Sequence, residues 1–155
     1  VIPALSAALD AELGLDEGDK SKVYDDATSL PIVKGSIVQG NPSIGIGRNL
    51  ATRGLSQAEI AFLLQNDKAQ CEADLEAALP WIVGITINRQ VAVYSLYFNM
   101  YLGDVARFLA SWPHFLEQMR IGAYEDAAHN LETSQPWASE VGARATRLAN
   151  LIRSG

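Results

Sequence analysis

The stretch "LDEGDKSKVYDD", residues 15–26, decides how the chain is read. Upstream of it, "PALSAALDAELGL" places Pro3 at a first helical position and leucines at 5, 9 and 13. That i, i+4 spacing marks one apolar helix face, and Gly18 suits the helix end. Downstream the pattern changes. Val23, Ile32, Val33, Ile37, Val38, Ile44 and Ile46 are β-branched and interleave with glycines, Pro31 and Pro42. This predicts a small twisted antiparallel sheet or hairpin set over residues 23–48. The quoted residues therefore pass from a helix end into a strand, and they carry Glu17 and Asp26 with Gly18 and Tyr24 between them.

Farther on, "SQAE" at 56–59 has the form of a capping box, with Ser56 as N-cap and Glu59 reaching back. Ile60, Leu63, Leu64, Cys71, Leu75 and Leu79 follow at helical spacing until Pro80 stops the run. Such a helix is about 36 Å long at ~1.5 Å per residue, enough to join two lobes. Shorter helices are predicted over 88–101, 104–111, 113–121, 123–133 and 138–153, punctuated by Asp104, Pro113 and Gly122. One helix, a small sheet, a long helix and a helical bundle define an α+β chain, mostly helical.

Composition narrows the function classes. The 155 residues are 48% apolar, which suits one globular domain or two small lobes. The net charge is −6, with the acidity concentrated in residues 1–79. Nothing forms a basic stripe, so nucleic acid is disfavoured as a partner. No apolar run is long enough to cross a membrane. The opening "VIPALSAAL" lacks the basic flank and apolar core of a signal peptide. Cys71 stands alone, so an intrachain disulfide is excluded, in keeping with a reducing compartment.

The candidate chemistry rests on carboxylates. Glu17 falls at the C-terminal end of the first helix, where unpaired carbonyls, together with Asp16 and Asp19, favour a protonated carboxyl. That is what a general acid needs. Asp26 opens the β-rich segment. Asp25 rivals it, but strand alternation puts the two on opposite faces. In "NPSIGIGRNL", residues 41–50, alternation sets Ser43, Gly45 and Gly47 on one face, bare except for a hydroxyl, with Ile44 and Ile46 packing on the other. A strand face without side chains lets a bulky ligand approach the backbone. Two carboxylates beside such a strand form the minimal set for glycoside hydrolysis. His114 and His129 lack metal-ligand spacing. Trp81, Trp112, Trp137, the Tyr94–Tyr97–Tyr101 stripe and Cys71 read as packing residues.

As an ordered set, these motifs resemble the phage-type lysozymes (endolysins) of glycoside hydrolase family 24. The family pattern is Glu-Gly, Tyr, Asp and then Thr-Ile-Gly-x-Gly. Glu17, Gly18, Tyr24 and Asp26 match it in order and spacing, followed by "SIGIGRNL". "RGLSQAEIAFLLQND", "FNM" at 98–100 and "SQPWASEVGARATR" resemble later family segments, so the likeness runs from about residue 12 to 153.

The resemblance implies a lysozyme-like two-lobe fold. The small lobe would cover about 15–55 and the inter-lobe helix 56–79. Helix 3–17 would pack on a helical lobe of 80–155. It implies an N-acetylmuramidase that cleaves peptidoglycan glycan strands and acts as a monomer without metal or organic cofactor. Such an enzyme waits in the host cytoplasm and works in the periplasm. Glu17 would be the general acid and Asp26 the opposing carboxylate. Ser43 would replace a threonine that holds the attacking water. Gly45, Gly47 and Asn99 would line the cleft, and Arg144 would pair with Glu17. An inverting outcome is expected if a water fits before Asp26. A lytic transglycosylase of similar fold, or a non-catalytic wall-binding module, are the rival readings.

The sequence departs from the family in its long 27–42 excursion, in Ser43 for threonine, in Arg48 where many relatives have histidine, and in its net acidity.

Overall fold

The computed structural model describes Leu5, Ser6, Asp10, Glu12 and residues 20–155. Those four isolated residues are helical, and the remainder of the expected 3–17 helix, Glu17 included, lies outside the described residues. The chain divides into two compact units, Val1–Ile60 and Ala61–Gly155. Its class is α+β and mostly helical.

The first unit holds a three-stranded antiparallel sheet. Strands β1 (Lys20–Asp25), β2 (Pro42–Gly45) and β3 (Arg48–Asn49) lie in that order. Tyr24 pairs with Ser43, and Asp25 with Pro42, with a register irregularity between Lys20 and Tyr24. Tyr24 is buried, and the Lys20 ammonium lies 3.8 Å above its ring centroid, a cation–π contact. The strand expected to run through residue 47 ends at Gly45 instead. Gly45 and Gly47 have φ of 62° and 64°, so they turn the chain back into β3. A residue with a Cβ resists that conformation, whereas glycine adopts it freely. The alternation that assigned Ile46 to the core breaks at this turn, and Ile46 is 48% exposed.

Between β1 and β2 the excursion folds back on itself. Ile32 N–H donates to the Val23 carbonyl at 2.9 Å, and Pro31 bridges Tyr24. The Ser36 hydroxyl accepts from Val33 N–H at 2.9 Å, closing a small turn. The segment is thus ordered by backbone bonding, while Leu30, Val33, Ile37 and Val38 stay exposed.

Helix α1 (Gln57–Ala78) begins with the predicted capping box. The Glu59 carboxylate accepts from Ser56 N–H at 2.8 Å, and the Ser56 hydroxyl accepts from Glu59 N–H at 3.3 Å. Arg48 adds a two-pronged ion pair to Glu59 (2.6 and 2.9 Å) and donates to the Gly54 carbonyl. The departure at Arg48 therefore ties β3 to the helix start. The Ser56 backbone and hydroxyl, then Arg48, hold the Glu59 pKa below its usual value.

Only Cys71 and Leu75 of α1 are buried. Ile60, Phe62, Leu63 and Leu64 are all more than 40% exposed, contrary to the expected apolar stripe. At ~100° per residue Ile60, Leu63 and Leu64 share one face and Phe62 lies opposite, so the stripe forms but stays exposed.

The second unit continues with a 3₁₀ turn, Pro80–Gly84, followed by α2 (Ile87–Met100), α3 (Val105–Ser111), α4 (Pro113–Arg120) and α5 (Tyr124–Thr133). Asp104 caps α3 by accepting from Arg107 N–H at 3.1 Å, and Pro113 opens α4. The helix expected over 138–153 is two helices, α6 (Trp137–Val141) and α7 (Ala143–Ser154). Gly142, at φ 50° and ψ −118°, separates them in a conformation that glycine alone adopts freely.

Apolar positions of these helices converge on one core. Ala92, Val93, Leu96 and Tyr97 come from α2, Phe115 and Met119 from α4, Leu131 from α5, and Leu148 and Ile152 from α7. Each large side chain buried there contributes roughly 1.5–3 kcal/mol. Trp112 and Trp137 meet edge to face at 5.5 Å, which bears out their reading as packing residues.

Tyr97 carries the polar anchor of this core. Its hydroxyl donates to the Asp74 carboxylate and accepts from Gly103 N–H at 3.0 Å. Burial, then Asp74, pushes its pKa up to about 12. Tyr97→Phe leaves both partners short of a bond and should destabilise the chain by about 1–3 kcal/mol. A lowered thermal midpoint by circular dichroism checks this.

Candidate active site

The structure separates the two neighbouring aspartates. Asp25 is 4% exposed, and its carboxylate is taken up by the excursion. Oδ2 accepts from Gln39 N–H at 2.6 Å, and Oδ1 accepts from Gly40 N–H at 2.9 Å and Ala27 N–H at 3.0 Å. The Gln39 bond, aided by Ala27 and Gly40 and opposed by burial, holds the Asp25 pKa below the usual carboxylate value. Its donors come from both ends of the excursion, so one side chain clasps the loop shut.

Asp26 is exposed. Its backbone N–H donates to the Asn41 carbonyl at 3.0 Å, which extends the ladder one step beyond β1. Its carboxylate accepts from Asn41 N–H at 2.7 Å through Oδ1 and from the Asn41 side-chain amide at 3.2 Å through Oδ2. Asp26 opposite Asn41 and Tyr24 opposite Ser43 are two steps apart along one ladder. Asp26, Ser43, Gly45 and Gly47 thus all belong to this hairpin.

Ser43, expected as a lone hydroxyl on a bare strand face, is 2% exposed. It lies between Tyr24 and Asn49 in the sheet rather than on an open wall. The glycines that were to bare that face shape the turn. Beside Gly45, a Cβ would meet nothing within 4 Å, so backbone conformation and not crowding calls for glycine there.

Asn99 and Arg144 belong to the second unit. Asn99 is exposed near the end of α2, not on a buried helix face. Arg144 is half-buried in the first turn of α7 and donates to the Ser95 hydroxyl at 3.2 Å. Its expected partner, Glu17, lies outside the described residues. Arg144, Arg147 and Ser95 help line a concavity of about 560 Å³. A more apolar groove of about 410 Å³ runs along α1 and α2, with Cys71, Val91, Tyr94 and Phe98 in its lining. Burial, reinforced by Asp74 and Glu72, pushes the Cys71 thiol up to about 12, so it packs rather than reacts.

Among the described residues, no group of three or more His, Cys, Asp or Glu side chains would hold a metal, and no helix is long and apolar enough to cross a membrane. Neither a family model nor a curated protein matches the chain.

Sequence reasoning missed Asn41, Gly40 and the clasp at Asp25. The Asn-Pro pair at 41–42 signalled only a turn. Since the Asp25 pKa is depressed in the folded state, its stabilising contribution is complete above pH ~4 and is lost as pH falls through the folded value. Asp25→Asn should lower the thermal midpoint at pH 7, flatten its fall in acid, and expose residues 28–38 to protease. In the variant, one carboxylate acceptor becomes an amide donor facing an N–H. Melting curves from pH 2 to 7, with limited proteolysis, check this.

Proposed function

We propose that the chain is a peptidoglycan hydrolase of the phage-lysozyme type, an N-acetylmuramidase with a two-lobe fold, serving host lysis. It would cut the β-1,4 bond between N-acetylmuramic acid and N-acetylglucosamine. Glu17 protonates the leaving oxygen and Asp26 activates the attacking water. The observation that carries the reading is the division of labour at residues 25 and 26. One carboxylate is consumed by the fold, and its neighbour, at the position matched by the family motif, is held yet open to solvent. The ordered motif set from Glu17 to Arg144 supports it.

Ser43, being buried, supports the strand from within, and Ser43→Ala acts more mildly than Asp26→Asn. Arg144 steadies the neighbourhood of α2 through Ser95. The protein accumulates in the host cytoplasm and works as a monomer on periplasmic wall.

The test is digestion of purified peptidoglycan, with turbidity and product masses recorded. Reducing-end muropeptides are expected. Products with 1,6-anhydromuramic ends would instead establish a transglycosylase. Binding without turnover would leave a wall-binding module.

A further inference from the structure

We propose that Asn41 is the positioning residue for the Asp26 carboxylate, and that the long excursion serves the reaction by delivering it. The inference rests on the hydrolase reading above and names a residue that reading does not include.

Asn41 grips Asp26 at both oxygens. The main-chain N–H takes one lone pair of Oδ1 at 2.7 Å, and the side-chain amide takes one of Oδ2 at 3.2 Å. A carboxylate offers about four lone-pair sites, so this grip fixes the carboxylate plane and leaves an acceptor site on each oxygen for a water. Only a donor fits opposite a carboxylate oxygen, so the amide nitrogen of Asn41 must be the group that faces it. The Asn41 carbonyl accepts the Asp26 N–H at 3.0 Å, closing a reciprocal pair.

Gly40 completes the seat. A Cβ there would fall 2.8 Å from Ala27 N and closer still to Asp26 Oδ1. The carboxylate is therefore wedged against a position that tolerates no side chain. Asp25 clasps the N–H groups of Gln39 and Gly40, so the chain immediately before Asn41 is held by a second carboxylate. A water-activating base gains from a fixed orientation, because misaimed lone pairs lose the near-attack geometry.

The experiment compares the unaltered chain with Asn41→Ala, Asn41→Ser, Asn41→Asp and Asp26→Asn on soluble peptidoglycan oligosaccharides, reading kcat, KM and the thermal midpoint. Every one of these residue-41 variants keeps the main-chain donor, so the comparison isolates the side chain. Asn41→Ala should lower kcat about tenfold, with KM within about twofold and the midpoint nearly unchanged. Asn41→Ser, a shorter donor, should recover part of the loss. Asn41→Asp should fall below Asn41→Ala, since like charges then face each other.

Full kcat in Asn41→Ala while Asp26→Asn is inactive would overturn the inference and leave the hydrolase reading standing. So would a loss that tracks the thermal midpoint across the series, which would reduce Asn41 to a structural contact. Full activity in Asp26→Asn would overturn the parent reading.

Discussion

Glu17→Gln is expected to abolish clearing of Gram-negative cells whose outer membrane has been permeabilised. Glutamine keeps the size and hydrogen-bonding reach of the side chain but has no proton to give. The departing sugar oxygen is a poor leaving group unless protonated as the bond breaks. Losing a positioned acid costs about 10²–10⁴ in rate, enough to erase visible clearing. The measurement is turbidity against time at equal protein concentration, with a melting curve to show that the variant is folded. Clearing at wild-type rate by Glu17→Gln would remove Glu17 as the general acid.

Asp26→Asn should cut turnover by about a hundredfold or more, because an amide cannot draw a proton from water. The amide oxygen can still accept one of the Asn41 bonds, so the fold should survive. Asp25→Asn is expected to behave in the opposite way. It loosens the clasp built on Gln39, Gly40 and Ala27, yet it retains more activity than Asp26→Asn at temperatures below its own melting. The two adjacent substitutions thus separate stability from chemistry. Should Asp25→Asn be the more damaging to kcat while still folded, the carboxylate roles would have to be exchanged.

What could be read directly from the sequence was local. Ser56 and Glu59 lie within one helical turn, and their reciprocal bonds formed as expected. Asp104 and Pro113 likewise act within a few residues of their own positions. The burial of Cys71 and Tyr97 followed from helical spacing.

The illegible part was non-local. Adjacent carboxylates on a strand differ by face, and which face is covered was settled by Gln39 and Gly40, fourteen and fifteen residues away from Asp25. The same distance problem hid Asn41. Ser43 lies within β2 and was misjudged because its face, shared with buried Tyr24, is the covered one, while the positive φ at Gly45 and Gly47 ended the strand and put Ile46 outside. Ile60, Leu63 and Leu64 fitted a helical period, but the period says only where a stripe lies and not whether anything covers it.

The Asp25 clasp has an evolutionary consequence. It gathers Ala27 at one end of the loop and Gln39 and Gly40 at the other, beside the Asp26–Asn41 bonds, and the entropic cost of such closure grows only slowly with loop length. Leu30, Pro31 and Ile32 stay tied to β1 by backbone pairing, whereas the stretch beyond them carries Val33 and Ile37 out into solvent. Drift, insertion or grafting can therefore rewrite that bay without disturbing the hairpin that carries Asp26.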